Sequence, residues 1–294
     1  MRVSWIKYPT TEPPPSKLVC STNFPKLCNH RVSNMYSESM EVPTTYPKKA
    51  GETVFCHPTA LANFVSSYLP NVKFPFVLVS GDSDMTVPVD CRDSANIVLG
   101  HPLLIRWFAQ NCVEPSEKLV QLPIGMDFHT MEAGPSAWGP KQSRESQESD
   151  ILKLCDTPNR ESKCYGNFQF ALTTRYAADR KLAMAQIPKQ LIFYEPVKCS
   201  RIKSWTNMVK HKYVVSPHGN GLDCHRAWEA LALGCIPIVK SSPLDPMFSD
   251  LPVLIVKEWS DITQELLDTF VPASTNTQKL QLSYWKNLFT QRPS

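Results

Sequence analysis

A chain of 294 residues with 42% hydrophobic and 20% charged residues holds enough apolar material for one large or two modest buried cores. Its net charge of only +4 excludes the strongly basic footprint of a nucleic-acid or anionic-membrane binder, yet suits a cleft that receives an anionic substrate. No apolar run is long enough to span a bilayer and the opening MRVSWIKYPTTEPPP has no signal-peptide pattern, so a cytoplasmic protein is expected, or a luminal domain cut from its anchor.

In chain order, residues 1–50 are proline-rich and weakly periodic and are expected to be irregular. The 26 prolines against 10 glycines imply many fixed loops throughout. Thr53 to Cys56 reads as a short strand, and Thr59 to Leu69, apolar at Leu61, Phe64, Val65 and Tyr68, has a helical rhythm. Phe74 to Ser80 is a dense apolar run of the kind found in a parallel strand buried on both faces. Ala95 to Asn111 reads as a helix kinked at Pro102, and Leu119 to Ile124 as a strand ending in the turn PIGMDFH. Residues 130–163 are the most polar stretch and read as a linker and loop with a short helix near Ile151. The alternation then restarts, with a strand at Phe168 to Thr173, a helix at Ala177 to Gln186, a strand at Leu191 to Glu195 and a helix at Ile202 to His211. A strand–helix–strand unit occupies residues 213–240, followed by a strand at Val253 to Val256 and a helix at Asp261 to Phe270. Apolar residues at Leu280, Leu282, Tyr284, Trp285, Leu288 and Phe289 predict an amphipathic terminal helix.

Strands alternating with helices predict an α/β protein. The expected organisation is an N-terminal Rossmann-like domain over residues 1–135, a linker or loop over 136–163 and a C-terminal Rossmann-like domain over 164–277. The 10 cysteines form no CxxC pair, which favours buried free thiols over disulfides; Cys20 with Cys28 and Cys155 with Cys164 are the local pairings the spacing allows. No His/Cys cluster has zinc-ligand spacing in the sequence.

The most informative stretch is YVVSPHGNGLDCHRAWEALALGCIPIVK, residues 213–240. An apolar strand runs into a turn of Pro, Gly and Asn, a helix follows, and Gly234 separates it from a second apolar strand. Such a turn aims free backbone N–H groups and the positive helix end at one point, where a phosphate group is commonly bound. His225 and Glu229 lie four residues apart, on one helix face, with Arg226 beside them. A cation near phosphates and a carboxylate one turn deeper suit a nucleoside diphosphate. The turn is not the dinucleotide fingerprint, because Cys224 stands where its third glycine belongs. An ordinary crossover helix with a solvated charged face would carry the same spacing.

This wording resembles the donor-binding segment of the exostosin-like family of two-Rossmann (GT-B) glycosyltransferases. The resemblance is carried by Ser216, Gly219, Arg226, Glu229 and the run Gly234, Cys235, Ile236, Pro237, Ile238. It implies two Rossmann-like domains facing a central cleft, with a C-terminal helix (278–294) returning to the first domain. It also implies inverting transfer of a sugar from a UDP-linked donor, UDP-xylose or another UDP-pentose or UDP-hexose, to a glycan hydroxyl. The resemblance extends to short soluble forms such as those carried by large algal viruses. Family members are commonly anchored in the Golgi, so the Golgi lumen is the alternative location if the chain is a fragment. No metal or other cofactor is expected to be required. The partners expected are the nucleotide sugar and the glycan acceptor, without nucleic acid or a membrane span. The donor-binding set is Arg175, Glu195, His218, Gly219, Asn220, Gly221, His225, Arg226, Glu229 and Ser241. Asp127 and His129, in the PIGMDFH turn, are assigned to the acceptor side.

A second site follows the strand at residues 76–80, in Ser-Gly-Asp-Ser-Asp-Met-Thr, which places Asp82 and Asp84 at a strand's carboxyl end. The family resemblance assigns one of them as the base that deprotonates the acceptor. No His follows the Asp directly, as it does in the family pattern, and Asp82 is favoured because it follows Gly81 immediately. Asp82-Ser83-Asp84 also fits the Asp-x-Asp metal motif of single-Rossmann glycosyltransferases. With Met85 and Thr86 it fits the nucleophile motif of haloacid-dehalogenase phosphatases. Both aspartates could equally cap a turn. A protein that binds nucleotide without catalysis would retain the 213–240 unit and lose the base.

Overall fold

The computed structural model describes residues 18–32 and 45–291. The chain is α/β and divides into two compact units. Of the described residues, the first comprises Val19–Ile124, Gly221–Asp223 and residues 282–291; the second comprises Leu18, Gly125–Asn220 and Cys224–Gln281. Each holds a five-stranded, wholly parallel sheet.

In the first unit the strands are β1 (His30–Arg31), β2 (Glu52–Phe55), β3 (Phe76–Ser80), β4 (Leu104–Gln110) and β5 (Leu119–Leu122), in that order across the sheet. All five residues of β3 are buried, as a central parallel strand covered on both faces demands. Its one hydroxyl, on Ser80, accepts a hydrogen bond from the Trp107 indole N–H at 3.0 Å. Helical turns over residues 58–71 and the helix Arg92–Gly100 pack beside this sheet, with Phe64, Tyr68, Ala95 and Val98 in one apolar cluster with Phe76 and Leu78. The terminal helix Leu282–Thr290 belongs to this unit, and its Phe289 ring lies 4.9 Å from that of Phe108.

The helix expected over Ala95–Asn111 is corrected. It ends at Gly100, and residues 104–110 form β4. Pro102 has no N–H to continue a helix and drives His101 to extended backbone (φ −70°, ψ 127°), so the proline marks a break and not a kink.

In the second unit the strands are β6 (Glu161–Gly166), β7 (Ile192–Tyr194), β8 (His211–Val215), β9 (Ile236–Lys240) and β10 (Leu254–Val256). Their order across the sheet is β10-β9-β8-β6-β7. The chain steps outward from β6 to β7, then returns to β8 on the other side and continues to β10. The direction of winding therefore reverses between β6 and β8. In open parallel sheets a crevice forms at the carboxyl ends of the strands at such a reversal, because the flanking connections leave toward opposite faces.

Three further expectations are corrected in this unit. The strand placed at Phe168–Thr173 lies earlier, at Glu161–Gly166, and residues 169–170 and 173–176 are turns or bends. The helix expected near Ile151 in the polar stretch 130–163 is present but longer than expected, the 11 residues Arg144–Leu154, capped by the Ser143 hydroxyl accepting from the Ser146 N–H. The helix expected over Ile202–His211 ends at Met208, and His211 opens β8. The helix Ala177–Gln186 and strands β8 and β9 lie where the apolar pattern places them. All 10 cysteines are free, and six of them are buried. Among the described residues no helix is long and apolar enough to cross a membrane.

Candidate functional site

The reversal in the second sheet coincides with a cavity of about 250 Å³. Gly166 ends β6, and the next residues, Asn167 and Phe168, enter the cavity wall. Glu195, the residue after β7, forms another part of it, and Arg226, in the first turn of the helix His225–Ala232 after β8, a third. Trp138 and Phe170 add aromatic surface, both partly exposed. The combination of apolar aromatic walls and a few convergent polar groups is typical of small-molecule pockets.

Arg226 is the group that stands out. Its Nε donates to Asn167 Oδ1 at 2.7 Å, and its guanidinium carbon lies 5.7 Å from the centre of the Phe168 ring. Its Nη1 is buried without a hydrogen-bond partner. Burial pulls the guanidinium below its usual pKa, and Arg180 adds to the pull. A buried, incompletely bonded cation is costly in an apolar wall and is relieved by an anion or carbonyl ligand. Asn167 is oriented in turn by donating from Nδ2 to Ser204 Oγ at 3.0 Å. Tyr165 donates its hydroxyl hydrogen to Glu195 Oε1 or Ser204 Oγ, each 2.8 Å away, and Asn207 Nδ2 donates to Glu195 Oε1 at 2.9 Å. Glu195 is thus fixed, 6% exposed, at the bottom of this network.

Of the residues nominated from sequence for the donor, Glu195 and Arg226 line the cavity, and the others have different surroundings. His218 and Gly219 form a turn bolted down by Arg180, whose Nε donates to the His218 carbonyl at 2.9 Å and whose Nη1 donates to that of Ala171 at 2.7 Å. A Cβ on Gly219 would stand 2.7 Å from Arg180 Nη2, so glycine is needed there for close packing. Asn220 Oδ1 accepts from the Arg175 N–H at 3.2 Å. Gly221 belongs to the first unit, pressed against Asn111. Ser241 donates its hydroxyl to Asp245 Oδ2 at 2.6 Å and closes the turn after β9.

The remaining nominated residues of this unit form a second, ionic cluster. Arg201, 5% exposed, donates from Nη2 to Asp127 Oδ2 and from Nη1 to the Asp127 carbonyl, both at 2.6 Å, and from Nη1 to Glu229 Oε1 at 2.9 Å. The Trp205 indole donates to Glu229 Oε2 at 3.3 Å. Both oxygens of Glu229 are therefore engaged inside the protein. Burial alone would raise the Asp127 carboxyl, but Arg201, His225 and His129 outweigh it and hold Asp127 well below the usual carboxylate range. Burial pulls the His225 imidazole below its ordinary value, against the attraction of Asp127. Asp127, His129 and His225 each offer one donor atom within 4.8 Å of the others. Among the described residues this is the group of His, Cys, Asp and Glu side chains that comes together with metal-ligand spacing.

In the first unit, Asp82 follows Ser80 and Gly81 at the carboxyl end of the central strand. Its backbone is left-handed (φ +62°), a conformation that aspartate tolerates better than most residues and that concentrates at functional turns. The turn is pinned on three sides. Gln110 Oε1 accepts from the Asp82 N–H, His57 Nε2 donates to its carbonyl, and Gln110 Nε2 donates to the Ser83 carbonyl, each at 2.9 Å. The Asp82 carboxylate accepts one bond, from Ser21 Oγ to Oδ1 at 2.8 Å. Asp84 is exposed.

Sequence reasoning missed Arg201, Asn167, Ser204 and the aromatic walls. A signal for Arg201 was present: an arginine at the first position of a helix opposes the helix dipole, a local conflict that points to buried carboxylate partners. No protein-family model matches this chain, and no curated protein matches it significantly.

Proposed function

We propose that the protein is an inverting glycosyltransferase of the two-Rossmann (GT-B) type. The donor is a UDP-linked sugar and the acceptor a glycan hydroxyl. The observation that supports this reading is the cavity at the reversal of the second sheet, walled by aromatic rings and holding the incompletely bonded Arg226 guanidinium. The base of the nucleotide stacks on the aromatic walls, and its diphosphate meets Arg226 and the free N–H groups at the start of the helix His225–Ala232.

In the transfer, a carboxylate takes the acceptor hydroxyl's proton as that oxygen bonds to the anomeric carbon. The bond from that carbon to the diphosphate oxygen breaks on the opposite face, and the electron pair leaves with the UDP, where Arg226 meets its charge. Asp82 fits the role of base better than Asp84, because its turn is pinned by Gln110 and His57 and its carboxylate is oriented by Ser21. Neither carboxylate needs to form a covalent intermediate.

The test is release of UDP from a panel of UDP-sugars, with and without EDTA. Slow hydrolysis of one donor that persists in EDTA is the expected result. Activity lost in EDTA and restored by Mg²⁺ or Mn²⁺ would replace this mechanism with the Asp82-Ser83-Asp84 metal reading. Release of inorganic phosphate from a phosphomonoester, without UDP release, would replace it with the phosphatase reading.

A further inference from the structure

We propose that Asp127, His129 and His225 form a binding site for one divalent transition-metal ion of the zinc and iron(II) class. Two segments far apart in sequence converge here, the loop at residues 125–129 and the first residue of the helix His225–Ala232. Asp127 Oδ1 and His129 Nδ1 are 3.3 Å apart. That is the edge length two ligands adopt on a shared ion with bonds of about 2.0–2.2 Å. The rings of His129 and His225 lie 5.6 Å apart, centre to centre, so the third donor faces the same space.

The surroundings orient these side chains as ligands are oriented in metal sites. His225 Nδ1 lies 2.7 Å from the Gly125 carbonyl oxygen. A carbonyl only accepts, so Nδ1 carries the hydrogen, and the lone pair is on Nε2. A backbone or carboxylate partner on the far ring nitrogen is the usual device for fixing a ligating histidine. The carboxylate is held too: Arg201 binds its other oxygen at 2.6 Å, and the Thr130 N–H donates to Oδ1 at 3.1 Å. Charge also permits a cation. Asp127 and Glu229 carry two negative charges against one positive on Arg201, a net −1 that outweighs the positive end of the short helix.

Two imidazoles and one carboxylate select borderline metals such as Zn²⁺, Fe²⁺, Co²⁺ and Ni²⁺ over Mg²⁺ and Ca²⁺, which prefer oxygen. Three protein ligands leave coordination positions for water or a substrate oxygen. The inference does not rest on the glycosyltransferase reading, and it adds a metal that reading does not require.

The experiment is a Co²⁺ titration of the full chain after dialysis against chelator, without nucleotide, followed by absorption and calorimetry. One equivalent is expected to bind, with ligand-field bands and no thiolate charge-transfer band. Zn²⁺ should displace it, and a tenfold excess of Mg²⁺ should not. His129→Ala and Asp127→Asn should each weaken binding at least tenfold, and an unchanged far-ultraviolet circular dichroism spectrum verifies that His129→Ala is folded. No binding, a thiolate band from the free cysteines, or unchanged affinity in folded His129→Ala overturns the proposal. Because no nucleotide is present, failure here leaves the UDP-release result standing, and failure there leaves this one.

Discussion

Replacing Arg226 with methionine should stabilise the unliganded protein while it destroys nucleotide binding. Methionine fills a similar volume without charge. The substitution removes a buried Nη1 that has no partner, a relief of about 1–3 kcal/mol or more for a charged group. Against this stand the Nε bond to Asn167, about 1 kcal/mol net, and the contact over Phe168, about 0.5–1 kcal/mol, part of which a thioether on the same ring restores. The expected balance is a gain of about 1 kcal/mol, or roughly 2–4 °C in melting temperature for a unit of this size. Binding moves the other way. Losing a charge-assisted bond to the diphosphate costs about 1.5–3 kcal/mol, a weakening of roughly 10- to 150-fold. Calorimetric melting with and without UDP reads both at once, since a ligand that binds only the folded state raises the melting temperature by mass action. A variant that melts lower than the parent by more than about 1 kcal/mol, yet still shifts with UDP as the parent does, would refute this account of Arg226.

Asp82→Asn should reduce turnover by about 10²- to 10⁴-fold with UDP affinity unchanged in a calorimetric titration, and Asp84→Asn should leave both nearly intact. Arg201→Met should destabilise the protein by about 3–5 kcal/mol in urea unfolding, because Asp127 and Glu229 then remain buried without the guanidinium they share. Adding Glu229→Gln to that variant should recover part of the loss, and no recovery would count against the ion-pair explanation. Burial holds the His211 imidazole below its ordinary value, while its Nδ1 donates to the Asn207 carbonyl at 2.9 Å. The unfolded ring takes a proton near pH 6.5 while the folded ring stays neutral, so this contribution is complete above about pH 6.5 and is lost as the pH falls toward the folded value. His211→Asn, which keeps a donor near that carbonyl, should flatten the fall in melting temperature between about pH 7 and pH 5, and identical curves for the two proteins would refute the assignment.

The strands that could be read from sequence are those buried on both faces. β3 and the buried stretches Tyr213 to Val215 of β8 and Ile236 to Val239 of β9 are short apolar runs, because a covered parallel strand has no wet side. β4 was hidden because Leu104, Trp107 and Phe108 also fit a helical spacing, and only Pro102 argued for a break. β6 was hidden for a different reason. Only its carboxyl half is buried, so Glu161, Ser162 and Lys163 give it the composition of a loop. Its place was given to the apolar run that follows it, and that error carries information. Phe168 and Phe170 are apolar without belonging to a strand; both wall the cavity, and Phe170 remains 38% exposed. Phe168 is buried with the core of the unit, so the uncovered aromatic surface here is that of Phe170. On the proposed function that uncovered apolar surface is matched to a ligand's ring, and the cavity it walls also holds Arg226, whose Nη1 has no hydrogen-bond partner.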